Sequence, residues 1–461
     1  MNAEPLTHWE PENPVFWARQ GERIAHRNLW ISVLALMLSF AVWMVWSVVV
    51  VNLPHVGFRF STNQLFWLAA LPALCGATLR IFYAFMVPML GGRVWTTLST
   101  ASLLLPALGI GFAVQDPETT YPTLLLLALL CGLGGGNFAS SMAHISYFFP
   151  ASQKGGALGL NAGLGNLGVS VAQLLVPLVI VASLFGAIGG TPQVWSGSGA
   201  TREIWLQNAG FVWVPVIVLA TLAAWFGMND IPGARASFSE QAVIFVRKHN
   251  WLMSWLYLGT FGSFIGHAAG FPLLLQTAFP AVEVTQYVFI GPLIGALMRP
   301  LGGWLADRMG GARVTFWNFL IMALAVAAVL FSLPSADSAG SLSCFLGAFL
   351  LLFFTTGIGN GSTFRMIPVI FMTERMLTAK SKGAQMNEQL VRNANNESAA
   401  VLGFTSAIGA YGGFFIPKSY GTSIATTGGP EVALYVFMIF YCSCILMTWW
   451  YYLRKNAEIP C

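Results

Sequence analysis

Two arginines lie where a membrane-crossing helix leaves them no water. Arg80 falls in the apolar run from Leu65 to Leu90, and Arg299 falls in the apolar run 282–306. Each closes the same short segment, Gly76-Ala77-x-x-Arg80 and Gly295-Ala296-x-x-Arg299, and each is followed eleven residues on by a glycine pair, Gly91-Gly92 and Gly310-Gly311. That spacing is roughly 15 Å of helix. It places both guanidinium groups near mid-membrane, too deep for easy snorkelling. An arginine there costs on the order of 2.5–3.5 kcal/mol even on the lenient insertion scale. A buried carboxylate could neutralise it, but all 17 acidic residues map to loops, tails or span ends. Two buried arginines without a counter-ion of their own call for an anionic ligand. A guanidinium is planar, permanently charged and forked, so it pairs with a planar oxyanion through two parallel hydrogen bonds. The abundance of phenylalanine (35 residues) and the lack of other ions suggest an otherwise apolar wall. Such a site suits a small, weakly hydrated monoanion better than phosphate.

The elements that carry these residues follow from composition. Of 461 residues, 56% are apolar and 8% charged, with mean hydropathy +0.69. A soluble domain carries roughly 25% charged residues, so this chain is expected to be solvated by the lipid bilayer rather than to fold as a soluble bundle. Runs such as Leu29 to Leu53 and Val432 to Leu453 approach or exceed the roughly 20 residues that cross about 30 Å of hydrocarbon. Turn signals divide the chain into twelve expected spans: 28–53, 65–90, 95–114, 122–148, 157–188, 209–229, 251–277, 282–306, 314–333, 343–372, 397–420 and 431–453. The chain opens on some 28 polar residues and its first apolar run is too long for a secretory signal, so no cleavable leader is expected. Five of the six cysteines lie in apolar runs, which implies no disulfide framework.

Twelve spans put both termini on one side. Arg19, Arg23, Arg27, Arg93, Lys154, Arg235, Arg247, Lys248, Arg308, Arg313, Arg375, Lys380, Lys382, Arg392, Arg454 and Lys455 then share that side, against only Arg59 and Arg202 opposite. The bias places both termini in the cytoplasm. The formal charge of +5 therefore reflects topology and implies no nucleic-acid partner.

The chain also repeats itself. Besides the two arginine segments, Gly132-x-Gly134-x-Gly136 in the fourth span returns as Gly357-x-Gly359-x-Gly361 in the tenth. Gly159, Gly165 and Gly168 in the fifth return as Gly403, Gly409 and Gly412 in the eleventh. Three repeats six helices apart, in the same order, indicate two parallel six-helix halves with a substrate site between them, the major facilitator architecture. The segment Gly303-Trp-Leu-Ala-Asp307-Arg308-Met-Gly310 resembles that superfamily's loop motif. The expected organisation is an N-terminal segment (1–27), a first half (28–229), a linker (230–250), a second half (251–453) and a tail (454–461). The fold class is an all-α membrane protein. Small residues at helical spacing let helices approach closely, so Gly132, Gly159, Gly165, Gly403 and Gly409 are expected at helix contacts that pack and slide, with Asp307 and Arg308 in the conformational loop. A weakly amphipathic stretch, Ser237 to His249, suggests a helix on the inner membrane face. No H-E-x-x-H, C-x-x-C or G-x-S-x-G pattern is present, so neither an enzyme nor a metal or cofactor site is expected.

Three stretches carry a closer resemblance: Gly132-Leu-Gly-Gly-Gly-Asn-Phe-Ala-Ser-Ser-Met-Ala-His144, Gly159-Leu-Asn-Ala-Gly-Leu-Gly-Asn166 and Ala407-Ile-Gly-Ala-Tyr-Gly-Gly413. They resemble the signature segments of the nitrate/nitrite porter family, and the similarity covers nearly the whole chain. The resemblance implies a transporter of a bacterial inner membrane with nitrate and nitrite as its partners and the anion bound between Arg80 and Arg299; a monomer is the expected state. It further implies that the Asn166 amide donates to the anion, that Tyr257 assists, and that Phe138, Phe261 and Phe40 form its aromatic walls. Nitrate/nitrite exchange by alternating access is the expected activity. The rival is nitrate/proton symport through a buried histidine, His144 or His267, both of which depart from the family pattern, as does Arg365. Lys418, near the outer end of the eleventh span, could gate, attract or anchor.

Overall fold

The computed structural model describes residues 6, 8–197, 200–231, 242–334, 339–381 and 388–461. Helix dominates because lipid supplies no hydrogen-bond partner for a bare backbone, and a helix satisfies its own. Eleven helices are long and apolar enough to cross a membrane among the described residues: α1 (Pro14–Val56), α2 (Thr62–Leu90), α3 (Gly92–Ala113), α4 (Tyr121–Phe148), α5 (Ala151–Val179), α6 (Asn208–Gly227), α7 (Lys248–Ala278), α9 (Gly311–Ser332), α10 (Leu342–Lys380), α11 (Ala400–Thr427) and α12 (Glu431–Leu453). In the place of the eighth expected span lies α8 (Ile290–Met309), 20 residues long. Arg299, Asp307 and Arg308 make it too polar to meet the same standard on composition.

Several boundaries differ from those expected. α5 stops at Val179 rather than at 188. The Asn208 side-chain amide there donates to the freed carbonyls of Val179 (3.0 Å) and Ala182 (2.8 Å), which caps the helix end. The connection that follows contains an antiparallel hairpin, β1 (Gln193–Gly197) with β2 (Ala200–Ile204). α10 runs past residue 372 into a charged turn, where Glu374 and Arg375 are held by Arg247 and Glu397. Residues 237–241 of the Ser237 to His249 stretch lie outside the described residues; beyond them Ala242–Val246 is a short 3-10 turn, and Lys248 already begins α7, so the described part forms no separate surface helix.

The glycine repeats bring α2 and α4 into backbone contact. A Cβ on Gly76 would stand 2.9 Å from the Gly135 Cα and 3.0 Å from the Trp43 Nε1. Gly132 meets Cys75, Gly165 meets Leu36, and Gly409 meets Tyr257 and Phe261. Gly159 and Gly403 differ from the expectation. A Cβ on either would meet nothing within 4 Å, because both line an open cavity rather than a helix contact in this conformation.

The two halves touch on the side away from the termini. There Gln276 on α7 donates to the Val51 carbonyl (3.2 Å) and meets His55 (2.7 Å), both in α1. Lys418 on α11 donates to Asn63 at the start of α2 (3.0 Å), and Arg202 in the hairpin pairs with Glu283 (3.2 Å). We expect Gly76→Val to lower the thermal midpoint of the purified protein, at a cost of roughly 1–3 kcal/mol for overpacking a tight contact. Gly159→Ala, which adds its methyl to open space, should leave the midpoint where it is. Equal midpoints for all three proteins would contradict this packing account.

Candidate functional site

A cavity of about 1910 Å3 enters between the halves from the side that carries the N-terminal segment. Trp9, Lys154, Gly159, Asp307, Arg375 and Gly403 line its course, and Arg80, Arg299, Phe138 and Phe364 lie on its walls. None of the far-side residues His55, Gln276 or Lys418 reaches it.

Arg80 is 1% exposed and Arg299 6%. Among the described residues, neither makes an ion pair with a carboxylate. Arg80 instead donates through Nε to the Gly135 carbonyl (2.7 Å) and through Nη1 across the interface to the Ser406 carbonyl on α11 (2.9 Å). Its Nη2 is buried with no partner. Arg299 reaches the Tyr257 hydroxyl at 3.5 Å through Nη2, and its Nη1 is buried with no partner. Each guanidinium therefore keeps at least one buried nitrogen without a partner, a condition that buried polar groups rarely tolerate without a ligand to complete them.

Aromatic faces supply part of the missing compensation. The Arg80 guanidinium lies 4.8 Å from the Phe138 ring, 5.1 Å from Phe261, 5.4 Å from Trp43 and 5.8 Å from Phe40. Arg299 lies 5.1 Å from Phe364. Such contacts are worth about 2 kcal/mol or more when desolvated. The backbone helps to aim them. α7 carries a π-helical turn at Leu258–Gly262, a distortion common at functional sites. Tyr257 and Phe261 stack beside it with centroids 5.4 Å apart, and Phe261 stacks on Phe138 at 6.3 Å.

Of the residues singled out in the sequence, Arg80, Arg299 and Phe138 line the cavity, while Tyr257, Phe261 and Phe40 are buried immediately behind it. Asn166 is 1% exposed, both its amide atoms lack partners, and no hydrogen bond joins it to either arginine. Phe364 and the carbonyls of Gly135 and Ser406 went unread. Phe364 had a signal, since it follows Gly361 by three residues much as Phe138 follows Gly136 by two. A backbone carbonyl from another helix leaves no trace in sequence.

The remaining charges are accounted for near the mouth. Arg365 pairs with Asp307 at 2.5 Å, Arg308 lies over Trp304, and Glu397 binds both Arg247 and Arg375. Just ahead of α11, burial pushes the Glu397 carboxyl up, but the two guanidinium hydrogen bonds outweigh it and hold the group below its ordinary value. His267 contacts the hydroxyls of Tyr441 (3.3 Å) and Tyr420 (3.2 Å). His144 packs against Gly92, and its Nε2 is buried with no partner. Neither histidine lines the cavity.

Residues 31–417 match the Major Facilitator Superfamily. The chain is 53% identical over 455 residues to the nitrate/nitrite transporter NarU of Salmonella typhimurium LT2, covering 98% of this chain and 97% of that one. It is 43% identical over 462 residues to a probable nitrate/nitrite antiporter, NarK2, of Thermus thermophilus, covering 99% and 98%. A bacterial homologue of the human lysosomal transporter Spinster, solved in an inward-facing, occupied conformation, shares the fold. Its TM-score is 0.64 at 16% identity, over 91% of this chain and 95% of that one. The superfamily match and the transporters named among these relatives make this a multi-pass membrane transporter rather than an enzyme. The chain belongs to the nitrate/nitrite porter family of the major facilitator superfamily.

If the Phe364 ring holds the Arg299 guanidinium in the orientation that meets the anion, Phe364→Ala should weaken anion affinity severalfold by releasing that orientation, while Phe364→Tyr keeps it. Titration of nitrate into purified protein reads this. An affinity unmoved by the alanine would remove the aromatic face from the account.

Proposed function

We propose that this protein exchanges nitrate for nitrite across a bacterial inner membrane by alternating access, with the anion held between Arg80 and Arg299. The observation that carries this reading is the unpaired nitrogen on each guanidinium in one cavity that offers neither a carboxylate partner. A trigonal oxyanion has the charge, size and planar acceptor array to complete both forks. The names of the relatives at 53% and 43% identity supply the cargo. The lysine and arginine distribution orients both termini, and so the open mouth, toward the cytoplasm.

Exchange follows from electrostatics. With the cavity empty, closing the mouth strips water from two cations and leaves them unpaired. A bound anion offsets that cost, so the halves rock readily only when loaded. The carrier returns with a second anion, and no proton is required. The histidine route to symport has less behind it, since the cavity wall includes neither His144 nor His267.

The test is counterflow in proteoliposomes. Vesicles loaded with nitrite are expected to take up labelled nitrate, and empty vesicles are not, with or without a proton gradient. Arg80→Lys keeps the charge but loses the fork, and should cut exchange roughly ten- to hundredfold, the range for a charge-assisted hydrogen bond. Uptake into empty vesicles driven by a proton gradient alone would overturn the exchange reading.

A further inference from the structure

The far-side seal contains one contact that a proline has made necessary. α7 carries Pro272 in its interior, and proline has no N–H. The carbonyl of Ala268, four residues earlier, therefore cannot accept the usual α-helical bond from position 272. It accepts instead from the side-chain amide of Gln173 on α5, at 2.7 Å and across the interface between the halves. The same Gln173 nitrogen donates to the Ser47 hydroxyl on α1 (3.0 Å), and that hydroxyl in turn donates to the Met44 carbonyl (2.7 Å). Gln173 is completely buried, and its Oε1 has no partner.

Position gives the contact its meaning. The last α5 residue lining the cavity is Leu167, and Gln173 lies six residues, about 9 Å, further from the mouth. Of the inter-half bonds described on the far side, those of Gln276, Lys418 and Arg202 involve partly exposed groups. Gln173 and Ala268 meet in a wholly dry setting between those bonds and the arginines.

We propose that Gln173 and the proline-freed carbonyl of Ala268 form the inner bolt of the far-side gate, a positioning pair that sets the balance between the two open states. The inference rests on the alternating-access reading. While the far side is sealed, the amide satisfies a buried carbonyl that lacks its usual α-helical donor. When the far side opens, water reaches both groups, and each exchanges its partner for solvent at little net cost. A leucine at 173 would deprive the Ala268 carbonyl and the Ser47 lone pair of this donor only in the sealed state, so it must favour opening. An N–H restored at position 272 would satisfy Ala268 within α7 and remove most of that effect.

The experiment is a double-mutant cycle read by pulsed electron spin distances in nanodiscs. The native cysteines are replaced by serine, and labels are attached through Glu118→Cys and Thr427→Cys, at exposed far-side positions in opposite halves. The parent protein should show a dominant short distance. Gln173→Leu should raise the ratio of long to short distances about fivefold, the worth of one buried hydrogen bond. In a Pro272→Ala background the same substitution should change the ratio less than about twofold. Should Pro272→Ala fail to reach the membrane, Pro272→Gly restores the same N–H. An unchanged ratio in Gln173→Leu, or an equal change in both backgrounds, overturns the proposal and leaves Gln173 a packing residue. Counterflow measured on the parent protein stands apart: its absence would sink the exchange reading while the distances still decide the role of Gln173.

Discussion

Two cations in a low-dielectric chamber, with no acid between them, set the terms for the rest of this molecule. Burying a guanidinium is costly unless it is paired, and here the protein pays only in part. Arg80 is held by two backbone carbonyls and ringed by four aromatic faces. Arg299 has a long contact to Tyr257 and one ring. A carboxylate within reach would neutralise either group and close the site to an anion. The acids stand instead at helix ends, where Asp307, Glu397 and Glu283 are occupied with other arginines.

The two ends of the bundle are held by different chemistry. Around the mouth, on the side of the termini, ion pairs link helices within the second half, Arg365 with Asp307 and Arg375 with Glu397. On the far side the halves are joined by the amides of Gln276 and Gln173, with the Lys418 ammonium on Asn63 and the single ion pair of Arg202 with Glu283 at the exposed rim. His55 illustrates how finely these are set. Its Nδ1 donates to the Ser196 carbonyl of the hairpin, so its Nε2 is left to accept from Gln276. Neutral hydrogen bonds exchange for water with little net free energy, which suits a seal that the proposed cycle must break and remake.

Much of the architecture was legible because lipid makes sequence unusually explicit. Apolar runs mark the helices, and an intramembrane arginine declares itself against that background. The repeat of Gly-Ala-x-x-Arg then places Arg80 and Arg299 at matching depth in related helices, and both do line one cavity. The unread features have physical reasons. The hairpin at Gln193–Ile204 is built from residues that also suit a loop, and the end of α5 is fixed by Asn208, a distant amide. The glycine pattern marks small surfaces without saying whether a neighbour is present, so Gly159 and Gly403 face open space in this conformation while Gly165 and Gly409 are covered. The Ser406 carbonyl and the Gln173 bond to Ala268 depend on how the halves meet, and one chain's residue order does not state that.

The most direct test of the central claim is a density map of the protein solved in saturating nitrate, compared with one solved without it. The account predicts a planar feature between Arg80 and Arg299, within hydrogen-bond reach of the nitrogens that now lack partners, and no carboxylate within 4 Å of either guanidinium. An anion seated elsewhere, or either arginine turned onto an acidic side chain, would contradict it.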